Sequence, residues 1–205
     1  MNDFYLETER LIIKKGTIED YIKVHEYDFN GLQNIKGNFE YVKLDPNEVR
    51  SWFGDNIEDW YKRVEAQNHY QMIVYLKENK EPIANIGFDR NDIKNNSIQI
   101  SCWLHPNYWK KGYMKEALVC AMSFIYKQGF DNIIYGYIEG NNNSKRLCEK
   151  LGFEPYKINK NEFETNYGLD TEYETIMSKE RFYELYQNEI KTSRSDVHYE
   201  GTMTF

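Results

Sequence analysis

The sequence predicts a single α/β domain built on one mixed sheet with helices packed against it. Three observations carry this prediction. Residues 70–105 hold three short β-rich runs at hairpin spacing. A strongly periodic helical segment bounded by Gly112 and Gly129 separates them from the next strand. Helix and strand signals then alternate to about residue 191 with no linker and no internal repeat. The chain has 205 residues, 40 % hydrophobic and 29 % charged, which suits one domain with a sizeable core. The domain is set at residues 1–191. Residues 192–205 are polar and unpatterned and read as a tail.

In chain order, Leu11-Ile12-Ile13 reads as a buried strand ended near Gly16. Thr17, with Asp20 three residues on, forms a capping box before a helix carrying Ile18, Tyr21, Ile22 and His25. Asp45-Pro46-Asn47-Glu48 is a second helix start. Val49, Trp52 and Phe53, then Ile57, Trp60, Tyr61 and Val64 after Gly54, predict one or two helices. Met72–Leu76, Pro82–Phe88 and Ser97–His105 predict an antiparallel meander, with turns at 78–81 and 91–96. Gly112 opens a helix with Met114, Ala117, Leu118, Ala121 and Ile125 on one face, and Gly129 closes it. A strand at Ile133–Ile138, a short helix from Ser144 to Leu151 stopped by Gly152, strands near 153–164 and 172–178, and a helix from Lys179 to about 191 complete the order.

Composition narrows the function. A net charge of −7 disfavours nucleic-acid binding. Cys102, Cys120 and Cys148 are odd in number and far apart, so no disulfide framework is implied. His25, His69, His105 and His198 are scattered, and no metal site is expected. No apolar run approaches the ~20 residues that span a bilayer, so no membrane association is expected. The first residues lack a basic segment followed by an apolar one, which sets the expectation of a cytoplasmic protein.

Two segments carry chemistry. In Trp103-Leu104-His105-Pro106-Asn107-Tyr108-Trp109-Lys110-Lys111-Gly112-Tyr113-Met114 a strand ends, a loop turns and a helix starts at a glycine. Unpaired first-turn N–H groups and the positive end of the dipole make such a start an anion site. Gly112 leaves room for a pyrophosphate, and Lys110, Lys111 and Lys115 add positive charge. The competing reading is a plain turn glycine beside a solvated lysine face. The second segment, Asn141-Asn142-Asn143-Ser144-Lys145-Arg146-Leu147-Cys148-Glu149-Lys150-Leu151-Gly152-Phe153, is a polar loop, a short helix and a glycine stop.

Together these segments resemble the GCN5-related N-acetyltransferase (GNAT) family. Residues 109–114 look like its R/Q-x-x-G-x-G/A coenzyme A signature, and residues 141–153 like its N-x-x-S-x-x-L-x-E-K-L-G-F signature. Leu6-Glu7-Thr8-Glu9-Arg10-Leu11-Ile12-Ile13 and the Trp103-to-Trp109 stretch are similar to the branch of ribosomal-protein N-terminal acetyltransferases. The resemblance spans about residues 6–190. The signature is altered at two places: Trp109 stands at its Arg/Gln position, and Met114 replaces its second Gly or Ala.

The resemblance implies a mostly antiparallel sheet in which two parallel strands, 97–105 and 133–138, splay apart around acetyl-CoA. Backbone groups of Trp103, Leu104 and His105 would pair with the pantetheine arm. The N–H groups of Lys110, Lys111, Gly112, Tyr113 and Met114 would hold the pyrophosphate. Asn141 would lie against the pantetheine, and Arg146 near the nucleotide. Ser144 is the candidate proton donor to the leaving thiolate, its alternative role being a helix cap. Cys148 stands where many members carry Tyr and reads as a buried small residue.

Glu164, with Glu162 on the same strand face, is the candidate general base, and an exposed edge charge is the alternative. Phe29, Tyr41, Tyr167 and Tyr173 are candidates to line the acceptor pocket, with Trp52 and Trp60 assigned to the core. The implied activity is acetyl-CoA-dependent acetylation of a primary amine, either a small cationic molecule or a protein N-terminus, with a homodimer compatible with the family. A non-catalytic acyl-CoA-binding domain is the alternative. An ATP site is disfavoured by the lack of a G-x-x-x-x-G-K-[ST] motif.

Overall fold

Thr8 folds the start of the chain back on itself. Its N–H donates to Leu11 O at 3.0 Å, and its hydroxyl accepts from Leu11 N at 2.9 Å. The strand read at Leu11–Ile13 is β2 (Leu11–Lys14), and a further strand, β1 (Tyr5–Glu7), precedes it and pairs with it antiparallel. The structure, a computed structural model, describes residues 5–26, 46–54, 56–66, 69–92, 95–165 and 168–192. Helices α1 (Ile18–His25), α2 (Pro46–Phe53) and α3 (Ile57–Glu65) follow. The meander is β3 (His69–Leu76), β4 (Pro82–Asp92) and β5 (Ser97–Leu104). A 3₁₀ turn at Pro106–Tyr108 leads into α4 (Tyr113–Lys127). Then come β6 (Asn132–Ile138), α5 (Asn142–Leu151), β7 (Glu154–Thr165), β8 (Gly168–Ser178) and α6 (Lys179–Thr192).

These strands form one sheet in the order β1-β2-β3-β4-β5-β6-β8-β7. The β5–β6 pair is parallel and the others are antiparallel. The turn expected at 91–96 starts later, because β4 continues to Asp92, which pairs with Ser97. The strand expected to reach His105 stops at Leu104, where His105 caps the 3₁₀ turn.

Strand alternation gives the sheet two faces. One carries Met72, Val74, Ile86, Phe88, Ile98 and Ile100, which pack on α4 and α6 in the larger core. Helix α4 is buried nearly all round, from Met114 to Tyr126, because it is covered on more than one side. Completely buried Leu118 or Phe124 contributes about 1.5–3 kcal/mol by area, and truncation to Ala would cost about 2–5 kcal/mol. The other face carries Ile73 and Tyr75, which pack with Tyr21, Val24, Phe53 and Tyr61 of α1–α3. Trp60 is partly buried against that cluster.

The predicted capping box is present at Thr17–Asp20, and Tyr75 Oη donates to Asp20 Oδ2 at 2.8 Å, which ties α1 to β3. Burial and this carboxylate hold the Tyr75 phenol far above its ordinary range. Phe29, Tyr41, Tyr167, the Trp52 side chain and residues 193–205 lie outside the described residues. None of the described helices is long and apolar enough to cross a membrane.

Candidate active site

The parallel pair opens partway along its length. Strands β5 and β6 are in register from Ser97–Asn132 to Ile100–Tyr135, and there the ladder ends. Beyond it β5 continues on β4 to Leu104, while β6 continues on β8 to Ile138. Each strand stays paired on its outer side, so a wedge-shaped gap opens between them.

Backbone alternation decides which groups line the gap. His105 N donates to Ile83 O at 2.9 Å and its carbonyl accepts from Tyr108 N at 3.0 Å, so its N–H, and by alternation the backbone groups of Trp103, belong to β4 while its carbonyl belongs to the 3₁₀ turn. They do not face the gap, which corrects the expectation that all three residues pair with a pantetheine arm. Leu104 and Cys102 face it instead. The Leu104 carbonyl accepts from Trp109 Nε1 at 2.7 Å, which leaves the Leu104 N–H and both Cys102 groups as edge donors and acceptors.

The side chains of Trp103 and His105 are structural. Trp103 Nε1 donates to Val24 O at 3.2 Å. His105 bonds Glu26 O through Nε2 at 3.0 Å, and its Nδ1 accepts from Asn107 N at 3.2 Å. His25 stacks on Trp103, and burial, with a smaller contribution from His105, lowers its pKa to about 4.

At one side of the mouth lies the start of α4. Lys110 and Gly112 both adopt left-handed backbone, φ 62 and φ 82. This arrangement leaves the N–H groups of Lys110 to Lys115 without a hydrogen-bond partner among the described residues. Lys110, Lys111 and Gly112 are exposed, whereas the Met114 side chain is turned into the core. Met at the second small-residue position therefore leaves its own N–H at the helix start. A Cβ on Gly112 would meet only Arg10 Nη2 within 4 Å, at 3.5 Å. The exposed amides at the positive end of a 15-residue helix suit a diphosphate. Among the lysines, Lys111 lies over the Tyr108 ring and Lys115 reaches Glu189 at 3.5 Å.

The start of α5 closes the other side. Asn141, not Ser144, is its N-cap: Asn141 Oδ1 accepts from Ser144 N at 3.0 Å. The cap role open to Ser144 is thus taken, and Ser144 lies near the buried Tyr135 phenol, where it offsets a small part of the burial that raises the Tyr135 pKa. Tyr135 Oη also lies 3.2 Å from Cys102 Sγ. Tyr135 and Cys102 therefore meet where the two strands part, with Ser144 near the phenol. Burial pushes Cys102 up to about 11 and Cys148 up to about 12, so both stay protonated thiols. Cys148 is 1 % exposed and packs in the core, as a small apolar residue does. Arg146 stands exposed on α5.

On the opposite sheet face, beyond α1–α3, the gap is bordered by carboxylates that sequence reasoning did not single out. Glu174 and Glu172 pair with Gly136 and Ile138 at the open end of β6. A Cβ on Gly136 would lie 2.6 Å from Glu172 Oε1, so the glycine allows this carboxylate to lie across β6. Asn159 Nδ2 donates to Glu172 at 3.1 Å and to Glu174 at 3.0 Å. The available signal was the alternation Glu172-x-Glu174 on a strand. Of the residues that were named, Glu162 is exposed. Glu164 pairs through its backbone with Leu169 near the hairpin tip, further along β8 than the residues opposite β6, and its side chain lies outside the described residues. Tyr173 stacks on Tyr137 at 5.4 Å.

This geometry agrees with comparison to known proteins. Residues 10–154 match the model of the acetyltransferase (GNAT) domain family. An uncharacterized N-acetyltransferase of Schizosaccharomyces pombe is 26 % identical over 75 % of this chain and 86 % of its own length. A putative ribosomal-protein-serine acetyltransferase from Vibrio cholerae superposes with a TM-score of 0.69 at 16 % identity, covering 87 % of this chain and 99 % of the other. The microcin C7 self-immunity acetyltransferase MccE, solved with acetyl-CoA and AMP, superposes with a TM-score of 0.68 at 14 % identity, covering 83 % and 93 %. With a family match over most of the chain and a splayed parallel pair flanked by two helix starts, this protein belongs to the GNAT acetyltransferases, whose acetyl donor is acetyl-CoA.

Proposed function

We propose that the protein transfers the acetyl group of acetyl-CoA directly to the primary amine of a small cationic molecule or a protein N-terminus. The observation that carries this reading is the gap between β5 and β6 with a helix start on either side. Bound acetyl-CoA supplies an activated thioester carbonyl. The α4 start (Lys110, Lys111, Gly112, Tyr113, Met114 and Lys115) holds the pyrophosphate. The Leu104 N–H and the Cys102 backbone bind the pantetheine as an added strand would. Asn141 borders that arm, and Arg146 the nucleotide end.

Ser144, near the Tyr135 phenol, delivers a proton to the departing sulfur. The amine enters from the opposite face, where a carboxylate of the β7–β8 hairpin takes its proton. Glu164 is the candidate from sequence, and Glu172 is the one the geometry favours, because it lies across β6 at the open end of the gap. Acidic residues on that side suit a cationic acceptor. The likeness to a ribosomal-protein acetyltransferase supports testing peptides beside small amines. The same reading places the protein in the cytoplasm and is compatible with a homodimer.

The test is thiol release from acetyl-CoA against polyamines, aminoglycosides, amino acids and short peptides with free N-termini, with calorimetric titration of CoA alongside. Turnover with one class is expected. Tight binding with no turnover across the panel would favour the non-catalytic acyl-CoA-binding reading.

A further inference from the structure

Arg10, in the β1–β2 turn, is about a hundred residues from the α4 start in sequence and touches it in space. Its Nη1 donates to Lys111 O at 3.2 Å, and its guanidinium lies 4.5 Å above the Tyr113 ring. Its Nε and Nη2 both bond Glu116 Oε2 at 2.6 Å, and its backbone N–H bonds Glu116 Oε1 at 3.0 Å. Thr8 Oγ1 donates to the same Oε1 at 2.5 Å.

We infer that Arg10 is a positioning residue that presets the anion-binding loop of α4. It does so in two ways. First, the Lys111–Gly112 peptide is planar and trans, so its C=O and N–H point in opposite directions. By holding Lys111 O on the protein side, Arg10 aims the Gly112 N–H outward, where a diphosphate would sit. Lys110, one residue before this peptide, is left-handed, which is costly for a residue with a Cβ, and Gly112 is free to adopt other backbone angles, so the loop has alternatives that a hydrogen bond must exclude. Second, Glu116 is a carboxylate in the first turn of α4, where it would repel a phosphate. Arg10 and Thr8 engage both of its oxygens and draw its charge toward the β1–β2 turn. Arg10 need not touch the ligand to do either.

The inference rests on the pyrophosphate lying at this loop. The test compares Arg10→Met and Arg10→Lys with the parent chain, measuring CoA affinity by calorimetry, kcat and KM for acetyl-CoA, and kcat/KM for acetyl-pantetheine, a donor without the pyrophosphate. Charged hydrogen bonds of this kind predict CoA binding weakened about 10- to 100-fold. KM should rise with kcat largely kept, and kcat/KM for acetyl-pantetheine should be unchanged. Lys keeps the charge but lacks the planar fork, so Arg10→Lys should resemble Arg10→Met. The Lys variant also serves if the Met variant does not fold. Normal CoA affinity in both variants, or equal losses with both donors, would overturn the role of Arg10. Failure of the parent chain to bind CoA would instead overturn the placement of the pyrophosphate.

Discussion

Replacing Gly112 by Asp tests the cofactor site most directly, because Asp and Asn tolerate left-handed backbone better than other side chains. At φ 82 the substitution should cost the fold about 1 kcal/mol, and the new Cβ meets only Arg10 Nη2 at 3.5 Å, an ordinary contact. For a domain of this size that is a fall of about 2–4 °C in Tm. The effect on binding is far larger. A carboxylate about 4 Å from a phosphate charge repels it by about 4 kcal/mol at an effective dielectric of about 20, and solvent at this exposed loop reduces that by roughly half. The expected loss of CoA affinity is about 30-fold or more. Competition with Glu116 for Arg10 would act in the same direction. Gly112→Asn supplies the same shape without the charge and should lose less. Calorimetric titration at about 0.05 and 0.5 M salt separates the two effects, since the difference between the two variants should shrink as screening rises. Equal affinities for the Gly112→Asp and Gly112→Asn variants, or a Gly112→Asp variant that binds as the parent does, would refute the placement of the pyrophosphate.

Three further outcomes are expected. Ser144→Ala should lower kcat about 10- to 100-fold while leaving CoA affinity nearly unchanged, as steady-state kinetics and calorimetry would show. Glu172→Gln should lower kcat/KM for the amine about 100-fold in steady-state kinetics; a larger loss in Glu164→Gln would move the base out along the hairpin. His25 should make stability depend on pH. Its pKa is lowered from 6.5 to about 4 by burial, so the unfolded chain binds the extra proton between those values. Stability is full above about pH 6.5, falls by about 3 kcal/mol as pH drops to about 4, and is level below. Denaturant melts from pH 4 to 7 should show this slope, and His25→Gln should flatten it.

The local structure was legible because it is written in adjacent residues. Thr17 and Asp20 specify a cap from within one turn, and the spacing Met114–Ala117–Leu118–Ala121–Ile125 specifies a buried helix face. Gly112 and Gly152 mark helix ends where left-handed backbone is needed. The two signatures at 109–114 and 141–153 were likewise local, and they sufficed to indicate the family.

The sequence alone thus determined the element order from β2 onward, the family and the cofactor, since short-range periodicity, caps and contiguous motifs encode these. Only the tertiary structure decided which strand claims each backbone group. It gave Trp103 and His105 to β4 and left Leu104 and Cys102 at the gap. It capped α5 with Asn141 and set Ser144 near Tyr135. It brought Glu172 across Gly136 and Arg10 onto the α4 loop. Pairing register and contacts over about a hundred residues of separation depend on how whole elements pack, and no local pattern of residue types encodes them.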